Sequence, residues 1–354
     1  MWNKGADLRE GEVLGEKLRH YHFNDLYISN NPDEPTLFRR LALSGSGERV
    51  MDGVHPAPRS LKADLDLLFA EIRKAAMADG HFKRETQIMF DGVAYRGALM
   101  ARPDAENDNP YETEEPDLQT WCLRRTGGNA PFLEDLRMPL ALQKELLGSV
   151  NKRGLVLIAG SFGSGKTTTA AACIQSWVRQ ANEIGITIED PPEFPLAVPE
   201  GKGHIYQIDI TDRDPAVAIK YMRRHAPRYV FLGEIRTPDA ARELLHMSSS
   251  GPLVLCTIHA SDPIKAITSL IQFASSAMET DMAQQLVARC LSLVVHQELV
   301  NGTMNANFLT IGDDDFGMQS KIRSGRYDLL YEDFENQKVR RQNAAQANRP
   351  GVRR

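Results

Sequence analysis

Hydrophobic positions change their rhythm part-way along the chain. Up to about residue 130 they alternate with polar neighbours or fall on one helical face; beyond it they come in unbroken apolar runs separated by helical patterns. In the first part, HFNDLYISNNPDEPTLFRRLA sets Leu26 and Ile28 between polar residues, breaks at NNPDEP and resumes at Leu37, Phe38 and Leu41, which predicts an edge hairpin. Leu61, Leu65, Leu68, Phe69 and Ile72 share one face of a helix running to about Ala76. Strands return from Gln87 to Ala101 and from Leu118 to Arg125, giving an α+β module. Between them, Asp104 to Asp117 is acidic and nearly free of apolar residues, so it reads as an exposed loop or flexible insertion, with an acidic docking site as the functional alternative.

In the second part, RMPLALQKELLGSVNKRG predicts a helix and turn, followed by strands at Leu155 to Ala159, Ile184 to Ile188, Ile205 to Ile210, Tyr229 to Leu232 and Leu253 to Ile258. The segments Pro215 to His225 and Pro238 to Ser249 open with Pro, which a helix tolerates in its first turn. Continuous apolar strands alternating with helices imply an α/β domain with a parallel sheet covered on both faces. Ligand sites then gather at the carboxyl ends of the strands. Two amphipathic helices and a strand follow, then short strands or loops at FLTIG and RYDLLYED. The resulting division is an N-terminal arm over 1–20 (mobile or helical), a smaller α+β domain over 21–130 with the insertion at 104–117, a linker over 131–138, an α/β domain over 139–335 and a tail over 336–354. The join near Asn129 to Met138 is expected to be flexible, and the polar, basic tail to be disordered.

Composition narrows the function classes. The 354 residues carry a formal net charge of −5, which gives no global attraction to nucleic acid or anionic lipid. The charged start, MWNKGADLREGEVLGEKLRH, lacks the apolar core of a signal peptide, and no apolar run approaches the ~20 residues of a membrane span. Cys122, Cys173, Cys256 and Cys290 form no metal or redox spacing, and Cys173 and Cys256 sit in apolar stretches as buried free thiols. This is the composition of a cytoplasmic chain.

The candidate chemistry sits where the strands end. After Ala159 comes Gly160, Ser161, Phe162, Gly163, Ser164, Gly165, Lys166, Thr167 and Thr168, matching G-x-x-x-x-G-K-[ST] at every fixed position. Glycines let successive N–H groups converge on phosphate oxygens at a helix N-terminus; Lys166 brings a compact charge, and the Thr167 hydroxyl can ligate Mg²⁺. Three further groups lie behind this loop: Glu189, Asp190 and Glu193 after the second strand, Glu234 after VFLG, and His259 after the last strand. Singly each is commonly a cap or a solvated side chain. In this order behind a phosphate loop they read as a nucleotide-hydrolysis site.

GSFGSGKT, ITIEDPPEF, RYVFLGEIR and SSGPLVLCTIHASDPIKAI together resemble the four signature motifs of the secretion-superfamily hexameric ATPases of type II secretion, type IV secretion and type IV pili. The likeness is strong over about Leu136 to Val300 and closest to the pilus-retraction, Dot/Icm and conjugative-transfer motors; FNDLYI is similar to the family's opening strand. The resemblance implies a RecA-like ATPase domain behind a PAS-like N-terminal domain, assembled as a homohexamer on inner-membrane components, cytoplasmic and peripheral to the membrane through those partners. It implies ATP with Mg²⁺ as the nucleotide and cation, and further that Lys166 and Thr167 hold phosphates and Mg²⁺, that Glu234 organises Mg²⁺ and its water, that Glu189 orients or deprotonates the attacking water, and that His259 senses the γ-phosphate. Which of Glu189 and Glu234 is the base stays open. Candidate arginine fingers are Arg96, Arg124, Arg125, Arg213 and Arg236. The alternatives are a single-stranded nucleic-acid translocating ATPase, against which the acidic balance stands, and a slow nucleotide-gated assembly scaffold.

Overall fold

A computed structural model describes residues 17–43, 51–77, 82–100, 115–126, 130–211, 213–300 and 303–347. The chain forms two compact units, Met1–Gly128 and Asn129–Arg354.

The first unit contains β1 (Tyr21–Ser29), β2 (Leu37–Leu43), β3 (Met51–Pro56), α1 (Lys62–Ala76), β4 (Glu85–Phe90), β5 (Val93–Leu99) and β6 (Thr120–Thr126). They build an antiparallel sheet in the order β3-β2-β1-β6-β5-β4. The β1–β2 hairpin is therefore not at the edge, as the pattern suggested. Leu26 lies in register between Phe38 and Leu123, and burying all three against Leu65, Leu68 and Ile72 of α1 places β1 in the interior of the sheet. The edge falls to β3, whose sequence MDGVHP carries too few apolar residues to be seen as a strand. Between β4 and β5, Asp91 (φ 48°) and Gly92 (φ 76°) both take left-handed conformations, the pair that suits a two-residue hairpin turn. Of the expected arm, residues 1–16 lie outside the described residues; Leu18 is buried and its N–H donates to Asp64 Oδ2 at 2.9 Å, so this end is tied down. Of the expected insertion, 104–114 lies outside the described residues, and Glu115 accepts from Arg73 Nε and Gln119 Nε2.

The second unit contains α2 (Leu140–Gly148), β7 (Gly154–Ala159), α3 (Lys166–Ala181), β8 (Ile184–Glu189), β9 (His204–Asp209), α4 (Pro215–Met222), β10 (Tyr229–Leu232), α5 (Pro238–Ser248), β11 (Leu253–Ile258), α6 (Pro263–Ser275), α7 (Thr280–Cys290), β12 (Leu291–Val300), β13 (Thr303–Thr310), α8 (Phe316–Arg323) and α9 (Leu330–Ala347). Six parallel strands and the antiparallel β13 form a sheet in the order β13-β12-β7-β11-β10-β8-β9. Alternation along β7 feeds two cores. Leu155, Leu157 and Ala159 pack with Leu244, Ile267, Leu270 and Val287, whereas Val156 and Ile158 pack with Leu142, Leu146, Ile174 and Trp177. Asp214, Thr237 and Asp262 cap α4, α5 and α6, each immediately before a Pro at the first helical position.

Two expectations are corrected here. The join expected to be flexible is packed onto α3: Leu133 is fully buried, its N–H donates to Ser176 Oγ at 2.9 Å, and Gln175 Nε2 donates to Ala130 O at 2.7 Å. Residues 127–129 lie outside the described residues. The region from RYDLLYED onward is neither strand nor disordered tail; it is a short turn and then α9, through Ala347. The reason is the open edge of β13. Gln337 acts as a substitute strand there: its Oε1 accepts from Thr310 N at 3.0 Å and its Nε2 donates to Thr310 O at 2.7 Å. Arg341 donates to Phe308 O at 2.6 Å and lays its guanidinium over the Phe308 ring at 3.8 Å. Exposed strand edges need such covering. Residues 348–354 lie outside the described residues.

Candidate active site

The loop from Gly160 to Gly165 turns β7 into α3 at the carboxyl end of the sheet. Gly163 (φ 72°) and Gly165 (φ 83°) hold left-handed conformations, and a Cβ at Gly160 would stand 2.4 Å from Gln297 O and 2.5 Å from Ser164 Oγ. Ser161, Phe162 and Gly163 are exposed, while Ser164 is buried. Thr167 and Thr168 are half-buried in the first turn of α3. Lys166 is buried with its Nζ donating to Gly160 O (3.1 Å) and Ser161 O (2.9 Å). Burial pulls its ammonium below the usual lysine range, and the charges of Glu234 and Glu193 oppose that shift.

The strand ends bring the remaining groups together. Lys166 Nζ lies 3.5 Å from His259 Nδ1, His259 Nε2 lies 2.9 Å from Glu234 Oε1, Arg236 Nε donates to Glu234 Oε2 at 2.9 Å, and Arg236 Nη1 reaches Asp190 Oδ2 at 3.2 Å. One polar chain thus joins the loop to the ends of β11, β10 and β8. Its frame is main-chain: Gly233 N donates to Ile188 O, Ile235 N donates to Thr257 O, and the Thr257 hydroxyl donates to Gly233 O. Thr167 Oγ1 donates to Glu193 Oε1 at 3.4 Å, so Glu193, named in the sequence only with Glu189 and Asp190 after the second strand, stands beside the threonine of the loop. Glu189 is buried, and burial raises its carboxyl above the usual range even though Gln207 Nε2 donates to it at 3.3 Å. Gln207 also donates to Phe194 O (2.8 Å) and accepts from Leu196 N (2.8 Å), anchoring the box to β9. Neither Gln207 nor Gln297 carried a signal in the sequence, since a glutamine inside a strand belongs to no motif.

The arginines divide. Arg236 is bound to Glu234 and Asp190 of its own site, and Arg213 is exposed in the segment after β9. Arg96, Arg124 and Arg125 lie in the first unit, where Arg96 pairs with Glu85, Arg124 pairs with Asp25, and Arg125 donates to Tyr21 O. Arg96 and Arg124 are register partners on β5 and β6. Elsewhere the thiols of Cys173, Cys256 and Cys290 are buried and form no disulfide, and burial pushes that of Cys290 up to about 12. No helix of the described residues is long and apolar enough to cross a membrane.

The profile of the type II/IV secretion system protein family matches residues 123–344, more than half of the chain. The chain belongs to that family. The type IV pilus ATPase PilU of Pseudomonas aeruginosa is 33% identical over 183 residues, covering 50% of this chain and 46% of PilU. The type II secretion system protein E of the same organism is 36% identical over 287 residues, covering 78% of this chain and 53% of that protein. The chain thus spans about half the length of these curated relatives. Among solved structures, the pilus retraction motor PilT with bound ADP has a TM-score of 0.64 at 19% identity, covering 88% of this chain and 84% of PilT. The Legionella pneumophila ATPase DotB has a TM-score of 0.63 at 19% identity, covering 87% and 84%. At that identity the likeness speaks for the fold: an α/β unit with a parallel sheet that follows a smaller α+β unit in the chain, as the sequence implied, the sheet of the smaller unit being antiparallel.

Proposed function

We propose that this chain is an ATP-hydrolysing motor subunit that works as a homohexamer on the cytoplasmic side of a type IV secretion, conjugation or type IV pilus machine. The carrying observation is the polar chain from Lys166 through His259 and Glu234 to Arg236, because it lies against a loop whose glycines and lysine suit phosphate. The donor set also fits a hard cation: a hydroxyl, Thr167, beside a carboxylate, Glu193, with Glu234 across the site. Mg²⁺ held by Thr167 and Glu234, with Glu193 in support, would when bound neutralise charge on the phosphates.

Lys166 leaves the loop carbonyls to meet the β- and γ-phosphates. Glu234 is the stronger candidate to orient and deprotonate a water next to the bound cation, since its carboxylate lies on the Lys166 side of the site and the contacts of His259 and Arg236 fix its direction. Glu189, buried on β8 and held by Gln207, keeps the acidic box in place. His259 lies between the lysine and Glu234, suited to pass a change at the γ-phosphate to β11. A further cation would come from Arg96, Arg124 or Arg125 of a neighbouring subunit, or from Arg213; phosphoryl transfer depends on such charge stabilisation.

Lys166→Ala tests this reading. Turnover should fall by about 10³-fold, as expected when a transition-state cation is removed. Mixed with subunits lacking Arg96, Arg124 and Arg125, the Lys166→Ala subunits should restore part of the hydrolysis, and specific activity should drop on dilution. Rates indifferent to Lys166 refute the site; rates indifferent to mixing and dilution refute the shared assembly. Single-stranded DNA that binds in a salt-sensitive manner and stimulates hydrolysis would favour a nucleic-acid translocating ATPase instead, and a slow rate that no partner raises would favour an assembly scaffold.

A further inference from the structure

Gln297 sits on β12, the neighbour of β7, one residue beyond the last register pair His296↔Ala159 and so beside the point where β7 becomes the phosphate loop. It is fully buried. Its main-chain oxygen packs on Gly160, where a Cβ would come within 2.4 Å. Its side-chain Nε2 donates to Ser164 O at 2.7 Å and stands 3.4 Å from the position of a Cβ on Gly165. One residue therefore touches the first glycine of the loop with its backbone and the last turn of the loop with its amide. The other side-chain atom, Oε1, is buried with no hydrogen-bond partner, and so is the Ser164 hydroxyl beside it. A buried amide that leaves half its bonding capacity unused is not explained by stability alone, since an apolar side chain of similar size would avoid the unpaired acceptor.

We propose that Gln297 is a positioning residue for nucleotide binding: its amide holds the Ser164 carbonyl so that the loop N–H groups keep the curvature that fits phosphate. This rests on the phosphate-loop reading above. It acts through the loop, on ground-state and transition-state contacts alike, so its loss raises KM and leaves kcat nearly unchanged. A side chain that merely fills space would instead reduce stability and the amount of active protein, leaving KM as it was. The effect on the fold is small because removing the amide frees one unpaired acceptor, Oε1, while leaving another, Ser164 O.

The test uses the full chain with Gln297→Leu and Gln297→Asn, the second keeping an amide but shortening its reach by a methylene. Steady-state ATP hydrolysis, ADP affinity by calorimetry and thermal unfolding are measured alongside wild type. Both variants should raise KM for ATP and Kd for ADP about tenfold, the worth of one buried hydrogen bond in loop placement, with kcat within about twofold and little change in unfolding temperature. Unchanged KM and Kd, or a fall in kcat and unfolding temperature without a change in KM, overturn the proposal while leaving the phosphate-loop reading intact. Absence of ADP binding by wild type overturns both.

Discussion

Gly160→Ala is the most informative single-atom perturbation of the loop. The added Cβ would lie 2.4 Å from Gln297 O and 2.5 Å from Ser164 Oγ. An ordinary carbon–oxygen contact is about 3.4 Å, so the loop and β12 must separate by about 1 Å. Neither can yield cheaply: the Gln297 oxygen belongs to the main chain of β12, paired with β13, and Ser164 is a buried residue of the loop itself whose Cβ also stands 3.3 Å away. Misplacing a reacting geometry by about 1 Å costs on the order of 10²-fold, which is about 2.7 kcal/mol at 1.36 kcal/mol per decade. Steady-state hydrolysis should therefore show kcat/KM down about 10²-fold. Gly148→Ala serves as the control. Nothing lies within 4 Å of a Cβ there and the backbone is already helical (φ −67°), so rate should hold and stability should rise slightly. Wild-type kcat/KM in Gly160→Ala, with folding intact, would refute the close approach of Gln297 to the loop and with it the placement of β12 against the site.

Glu189→Gln should raise the unfolding temperature at pH 7. Burial lifts the folded-state carboxyl of Glu189 above its unfolded value, so its contribution to stability is fully present below the unfolded pKa and is lost as pH rises through the folded one. The gain from the substitution should therefore disappear on acidification below the ordinary carboxylate range; a gain that grows with acid would contradict the assignment. Gln337→Leu strips the substitute strand from Thr310 and should cost about 1–3 kcal/mol in denaturant unfolding. Stability equal to wild type would mean that α9 does not protect the β13 edge.

Unbroken apolar runs such as LVLIA and LVLCTI made the parallel sheet legible, because a strand buried on both faces has no polar positions to blur it. Pro215 and Pro238 marked two helix starts as plainly, while the capping side chains of Asp214, Thr237 and Asp262 emerge only in the structure. The failures have a common cause: those segments are fixed by partners remote in sequence. The segment around Leu133 looks like a linker until Ser176 and Gln175 of α3 take up its backbone groups. The NQKVRRQN stretch is polar enough for a tail, yet Gln337 and Arg341 spend that polarity on the backbone of β13. The site shows the same split. Lys166, Thr167, Glu234 and His259 follow from motif and strand order, whereas the pairing of Thr167 with Glu193 and the grip of Gln297 on Ser164 depend on side-chain directions that no spacing encodes.

The most direct measurement of the central claim, that the polar chain centred on Glu234 carries ATP hydrolysis, is ATP binding and turnover of Glu234→Gln in one preparation. The substitution keeps the shape and hydrogen-bonding length beside His259 and Arg236 while removing the charge. The account expects ATP affinity within a few-fold of wild type and turnover reduced by about 10²-fold or more, as for loss of a positioned general base. Turnover equal to wild type with binding retained would contradict it.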